Sequence, residues 1–337
     1  MPFLPRLLLI ASLLPSALFA QEVALPSPAM AAPVMETVVV SGEQPGPGLW
    51  RVSNSQGHVL HILGTVSPLP EKMTWLSTEA EEVLADSQAL LLPPDLKVNI
   101  DRNMFRIMLL VPSMLGARNN PDRKVLKDML PPALYAQWLV LKKIYIGRGS
   151  SRSIERRRPI LAAEQLYAAA IEDADLSNRS IVSPLIVKRA EKLKIPLIRP
   201  SHKITIENPR AALKEISKSS LDDVQCFAKT LQHIENDVET MRARANAWAT
   251  GDIEGLRALP FTDPGADCIR AMLSAPTMQS HGLGDSSARI RALWLAAADE
   301  ALAKNASTFA LLPMGQMLKP DGYLADLRAK GYEIEEP

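Results

Sequence analysis

The chain has 337 residues, 38 Lys and Arg against 37 Asp and Glu, and a formal charge of +1. That balance excludes a nucleic-acid binder driven by bulk electrostatics. Aromatic residues make up only 5%, too few for a stacking platform for bases or sugars, while 47% hydrophobic content supports a large core.

At the N-terminus, Arg6 precedes an apolar run from Leu7 to Phe19 and then Ala20-Gln21. The run is short for a membrane span, so it reads as a signal peptide, residues 1–20, cut after Ala20; an uncleaved anchor is the alternative. A periplasmic or secreted location is therefore expected, with no transmembrane span after cleavage. Residues 21–46 read as a Pro/Ala-rich linker ahead of one domain, 47–337. Within it, Glu36-Thr37-Val38-Val39-Val40-Ser41-Gly42 has strand-like β-branched content and resembles the energy-coupling box of TonB-dependent outer-membrane receptors. That likeness makes Thr37–Val40 a candidate strand for addition to a partner's sheet.

The folded elements follow in order. Val59–Leu63 is a strand ended by Gly64-Thr65; Thr78-Glu79-Ala80-Glu81 is a capping-box pattern opening a helix to Ala85; Ala89–Leu92 is a strand stopped by Pro93-Pro94. Helices are expected at 132–144, 160–173, 184–193 and 208–218, with a short strand Pro196–Ile198 among them. Longer helices cover 221–249 and 286–304. The chain closes with strand Thr308–Leu312, helix Asp321–Lys330, Gly331 as its stop and strand Tyr332–Glu335. This pattern predicts an α/β fold: a central mixed sheet formed by N- and C-terminal βαβ-like segments, with a helical middle lobe.

Cys226 and Cys268 are the only cysteines. In an exported chain they read as a disulfide, with two free thiols as the alternative.

In α/β sheets ligands collect beyond the carboxyl ends of strands. Two small-residue turns stand there, Gly64-Thr65-Val66-Ser67 and Pro313-Met314-Gly315-Gln316. His202, beside Ser201, is the best-placed candidate base, with a surface-loop histidine as the plainer reading. His58 and His61 have odd spacing on a strand and so point to opposite faces; His233 and His281 stand alone. Lys142, Lys143, Arg148, Arg152 and Arg156–Arg158 form a basic run, read either as an anion or lipid-headgroup site or as a solvated loop. Asp222, Asp223, Glu235, Asp237 and Glu239 read as a solvated helix face, and Met104, Met108, Met114 and Met129 as gap-filling residues.

Gly48-Leu49-Trp50-Arg51-Val52, then Ile62-Leu63-Gly64-Thr65-Val66-Ser67-Pro68-Leu69-Pro70, resembles the opening of TraB/GumN proteins. The segment from Thr308-Phe309-Ala310 through Gly315-Gln316-Met317-Leu318 to Gly331-Tyr332 resembles that family's close, and Ile181-Val182-Ser183 with Ile195–Ile198 matches its middle more loosely. The family includes the Tiki metalloproteases and is similar to erythromycin-esterase-like and ChaN-like proteins. The resemblance implies an α/β fold and a metal site of histidines from two Gly-x-x-His turns and glutamates at strand ends. The sequence departs at each place. Ser67 and Gln316 stand for the histidines, Pro93 and Ser201 for the glutamates, and Pro313 for the glycine before the last turn. The family's arginine corresponds to Arg289 or Arg291. These groups hydrogen-bond well but make a poor divalent-metal set.

The expected protein is thus a degenerate, non-catalytic relative with no metal and no cofactor. It binds a small ligand, a peptide or an envelope partner in a crevice of Gly64, Thr65, Ser67, Ser201, Gly315 and Gln316. The alternative is a hydrolase using Ser67 or His202 with Arg291. A partner role in an exopolysaccharide or outer-membrane system is a third reading.

Overall fold

A computed structural model describes residues 38–100, 118–147, 151–206, 220–261, 268 and 286–337. All belong to the unit Thr37–Pro337. The expected signal peptide, the helix at 208–218, His281, Arg148, Met104, Met108 and Met114 lie outside the described residues.

In chain order the strands and helices are β1 (Gly42–Gln44), β2 (Trp50–Ser53), β3 (Val59–Thr65), β4 (Leu69–Pro70), β5 (Met73–Trp75), α1 (Thr78–Ala85), β6 (Leu90–Leu91) and β7 (Asp95–Ile100). After a 3-10 turn at Pro121–Arg123 come α2 (Leu126–Met129), α3 (Pro132–Tyr145), α4 (Ser151–Glu155), α5 (Pro159–Asp173), β8 (Leu176–Ser177), α6 (Val182–Leu193), β9 (Leu197–Ile198) and β10 (Ser201–Ile206). The rest is α7 (Ser220–Thr250), α8 (Ile253–Ala258), α9 (Ser286–Lys304), β11 (Ser307–Pro313), α10 (Met314–Met317), α11 (Tyr323–Ala329) and β12 (Glu333–Glu335).

The central sheet is mixed and runs β12-β2-β3-β11-β6-β9. β3, β11, β6 and β9 are parallel, and β2 and β12 close one side antiparallel. The first and last segments of the domain thus meet at the centre, where β3 and β11 pair from Val59–Ser307 to Thr65–Pro313. Phe309, Ala310, Leu311 and Leu312 are all fully buried. Because side chains alternate along a strand, this shows that both faces of β11 are covered. The expected α/β fold with a helical middle lobe is the one observed.

Local chemistry moves several boundaries. Helix α1 starts after Ser77, one residue earlier than the expected capping box. The Ser77 hydroxyl donates to Glu81 (2.7 Å) instead of capping a backbone N–H. Pro93-Pro94 do not end the strand pairing. They interrupt it where their N–H groups are missing, and the Asp95 N–H to Pro200 O bond (2.9 Å) restarts it as the β7-β10 ribbon. Gly331 ends α11 as expected, in left-handed backbone at φ +89°.

The linker reading of residues 38–46 also changes. Strand β1 pairs in parallel with β5, and the Gly46 N–H donates to Ala249 O. Asn246 clamps the segment read as a free strand: its Oδ1 accepts from the Val40 N–H (2.9 Å) and its Nδ2 donates to Val38 O (2.8 Å). Thr37 lies outside the described residues.

A second core fills the helical lobe, with Trp138, Leu141, Leu166, Phe227 and Leu231 from α3, α5 and α7. Helix α7, 31 residues long, joins the two cores: Phe227 and Leu231 sit in the lobe, Trp248 under the sheet. Cys226 on α7 and Cys268 form a disulfide that closes a 42-residue separation. A loop of that size stabilises by roughly 4 kcal/mol in the chain-entropy picture.

The lobe corrects the charge reading. Arg158 is buried and its Nε donates to buried Asp223 (2.5 Å); Lys142 Nζ reaches Glu155 (2.5 Å), which also accepts from Trp138 Nε1 (3.0 Å). Two members of the basic run and one of the acidic run are therefore interior groups, because their partners arrive on other helices. His233 does not stand alone either: it pairs with Asp237 one turn on (2.5 Å).

Candidate functional site

The carboxyl ends of the parallel strands bring two expected turns together. Gly64 and Thr65 lie opposite Leu312 and Pro313, and the Thr65 hydroxyl donates to Leu312 O (3.4 Å). Gly64 O accepts from the Trp248 indole N–H (2.8 Å), which ties the end of α7 to this turn. Met314 lies directly over Gly64. A Cβ there would sit 2.7 Å from its Cγ and 3.0 Å from the Met317 methyl. The space between the two turns is therefore packed with thioether rather than lined by polar groups. Gly315 similarly meets Phe261, 2.9 Å from where a Cβ would stand.

Beyond this plug lie two separate cavities. The first, about 380 Å³, has walls that include Pro94, Ile290, Arg291, Gln316, Lys319 and Tyr323. It gathers the link between β6 and β7, the start of α9, α10 and the turn into α11. The second, about 340 Å³, includes Pro70, Glu71, Ser177 and Arg179 in its walls.

The expected residues divide between these places. Gln316 and Arg291 share the first cavity. Arg289 is exposed and is not among that cavity's lining residues, so Arg291 is the arginine of the crevice. Ser67 is exposed and its hydroxyl donates to Asn178 Oδ1 (3.3 Å), next to Ser177 of the second cavity. Ser201 and His202 are half-buried on β10, opposite Asp95 and Leu96, so His202 is a strand residue rather than a loop one. Among the described hydrogen bonds and ion pairs, none joins Ser67, His202 and Arg291.

Arg291 is committed to its own neighbourhood. Its Nε donates to Asp326 (2.6 Å), its Nη2 to the carbonyls of Asp321 and Gly322, and its guanidinium lies 5.7 Å from the Tyr323 ring. The Asp326 hydrogen bond raises its pKa further, against the opposing effect of burial. Burial pushes the Tyr323 phenol up to about 12, with Arg291 pulling the other way, so it stays a neutral hydroxyl. Trp294 packs edge-on against the same ring at 4.9 Å. Lys319, Gln316, Arg291 and Tyr323, with Ser287 and Asp321, make this a hydrogen-bonding cavity. Sequence reading could find Gln316 from its place after a strand. Lys319, Ile290 and Tyr323 carried no signal, because only the tertiary fold sets them beside it.

The residues at the four positions where the resemblance implies metal ligands do not fit a divalent ion. A hydroxyl, a proline, a second hydroxyl and an amide offer no imidazole and no carboxylate. Among the described residues there is no group of three or more His, Cys, Asp and Glu near enough to share one. Elsewhere, His58 Nδ1 donates to Leu302 O (2.8 Å), and His61, opposite Arg51 on β2, has a pKa lowered by burial and then by that arginine.

The fold and crevice define an α/β protein whose N- and C-terminal segments complete one sheet and whose polar cavity lies at the strands' carboxyl edge. The model of the TraB/PrgY/gumN family matches residues 48–336, and the chain belongs to that family. No curated protein and no solved structure matches it. Among the described residues, no helix is long and apolar enough to cross a membrane.

Proposed function

We propose that this chain is a non-catalytic, exported member of its family that binds a small polar ligand or the end of a peptide in the Gln316 cavity. The observation that carries this reading is what lines the cavity. Gln316, Ser287, Lys319, Asp321 and Tyr323 supply donors, acceptors, one cation and one carboxylate, while Arg291 is paired with Asp326. Such a wall orients a ligand by hydrogen bonds. The export reading rests on the N-terminal pattern and is supported by the disulfide.

The test is calorimetry on the chain from residue 21 onward, against a panel of free amino acids and dipeptides. Saturable binding that Gln316→Trp and Lys319→Glu each weaken, at unchanged thermal stability, is the expected result. A stoichiometric Mn, Co or Zn that survives dialysis and is lost in Gln316→Ala would overturn the reading.

A further inference from the structure

The second cavity, about 340 Å³, is of a size that holds a small molecule. It stands on the β4-β8 ribbon, where Leu69 pairs antiparallel with Ser177 and Pro70 with Leu176. Side chains opposite one another on such a ribbon share a face, and Leu69 and Ser177 both line the cavity. Glu71 and Arg179, which line it too, follow them by two residues each. Because the strands run in opposite directions, Glu71 comes at one end of the cavity and Arg179 at the other. Glu71 stands opposite Asp175, whose carbonyl accepts from its N–H (3.0 Å). From Asp175 to Arg179 is at most about 14 Å of extended chain.

Among the described residues, the Glu71 carboxylate and the Arg179 guanidinium have no hydrogen-bond or ion-pair partner, and they are not paired with each other. Lys72 and Asp175, beside Glu71 on the same ribbon, are paired together (3.4 Å). The backbone under Arg179 is fixed nonetheless. Ser177 Oγ accepts from the Arg179 N–H (3.1 Å), and Asn178 Oδ1 accepts from the Ser67 hydroxyl (3.3 Å). Between the two charges the wall is apolar apart from the Ser177 hydroxyl. Leu69 is 3% exposed, Pro70 is buried and Ile181 is half-buried.

We propose that this cavity binds a small zwitterion, its ammonium on Glu71, its carboxylate on Arg179 and a short apolar body along Leu69, Pro70 and Ile181. A guanidinium matches a carboxylate through two parallel hydrogen bonds, and a carboxylate takes an ammonium as a compact charge. A plain anion on Arg179 leaves Glu71 unmatched and is repelled by it, and a plain cation meets the same difficulty at Arg179. Opposite charges at the two ends of an apolar wall thus set both the class of ligand and its direction. The site shares no lining residue with the Gln316 cavity.

The experiment is calorimetry of the chain from residue 21 onward with straight-chain amino acids of increasing length: β-alanine, γ-aminobutyrate and ε-aminocaproate. Saturable binding is expected, tightest for the member whose charge separation matches the cavity. Analogues of that member that keep only its carboxylate or only its ammonium bind about fivefold more weakly or worse. Arg179→Gln removes the preference for the zwitterion over the amine, and Glu71→Gln removes the preference over the acid. Both positions are exposed, so the melting temperature stays at the parent value. No saturable binding by any of the three, single-charge analogues that bind as tightly as the zwitterion, or an unchanged preference in either variant would overturn the proposal. Binding that Gln316→Trp removes and Arg179→Gln leaves intact would overturn it too, by placing the ligand in the first cavity.

Discussion

The sheet and the helical lobe handle charge in opposite ways. The sheet core is built around β11, buried on both faces, and its buried members are Leu, Ile, Val, Ala, Phe, Trp, Tyr and Met. The buried charged side chains of the described residues, Lys142, Arg158, Asp223, Arg242 and Arg244, all lie on α3, α7 or the residue that opens α5. The difference is geometric. A side chain on a central strand points straight into a neighbouring layer and has no route to a partner outside it. A long side chain on a helix lies along its neighbour and finds a carboxylate or a carbonyl there. Arg242 Nε takes Ala174 O (3.2 Å) and Arg244 Nη1 takes Pro260 O (2.7 Å) in this way. The outer surfaces invert the pattern: the lobe exposes an apolar helix face, with Leu139, Val140 and Ile144 of α3, and the sheet edge presents a polar cavity.

The largest expected effect tests the lobe side of this contrast. Arg158 and Asp223 are 8% and 4% exposed, so removing either one takes away the buried ion pair of the other. Arg158→Ala and Asp223→Ala should each cost about 3–5 kcal/mol, whereas replacing both with Met and Leu should recover most of that loss. Urea unfolding followed by circular dichroism measures the three. Losses below about 1 kcal/mol for the single variants would show that water reaches the pair and that the lobe tolerates charge because it is wet.

A smaller effect tests the sheet edge. Gly64→Ala places a methyl 2.7 Å from Met314 Cγ, in a space already filled. Overpacking of this kind costs about 1–3 kcal/mol. Shortening Met314 to Ala in the same chain should relieve part of it, although that change alone opens a cavity. The pair forms a double-mutant cycle, and additive losses would separate Gly64 from the methionine plug.

The sequence made the two halves legible to different depths. The buried run Thr308–Leu312 and the helices at 132–144, 160–173 and 221–249 stand close to where their periodicity placed them, because a core face imposes its period on any chain that builds it. The β7-β10 ribbon was hidden by Pro93-Pro94. Proline removes one donor from a ladder, and what happens two residues later depends on whether a partner strand is still alongside. At the site, Gln316 was visible from its turn. The separation of Ser67 from it was not, since that depends on Met314 and on Asn178, which is brought in by the β4-β8 pairing. The apolar outward face of α3 was written in its residues, yet a period alone marks a helix and not whether its second face is covered.

The smallest effect concerns His61 and sets the halves apart by pH. His61 sits on β3 opposite Arg51, in the part of the molecule that shuns charge. Burial, and then the arginine, lower its pKa below the ordinary 6.5. The unfolded chain therefore takes up a proton at a higher pH than the folded one. The stability this histidine contributes is fully present above pH 6.5 and is lost as pH falls below it towards the folded value. Arg51→Gln removes the second cause and leaves the burial, so it should raise the imidazole pKa part of the way back. Nuclear magnetic resonance titration of the His61 ring reads this directly, and the accompanying change in melting temperature on acidification should be shallower in Arg51→Gln than in the parent. Should the ring titrate at the same pH in both, burial alone sets its pKa. The sheet would then reject charge through its packing, without help from the cation across the strand.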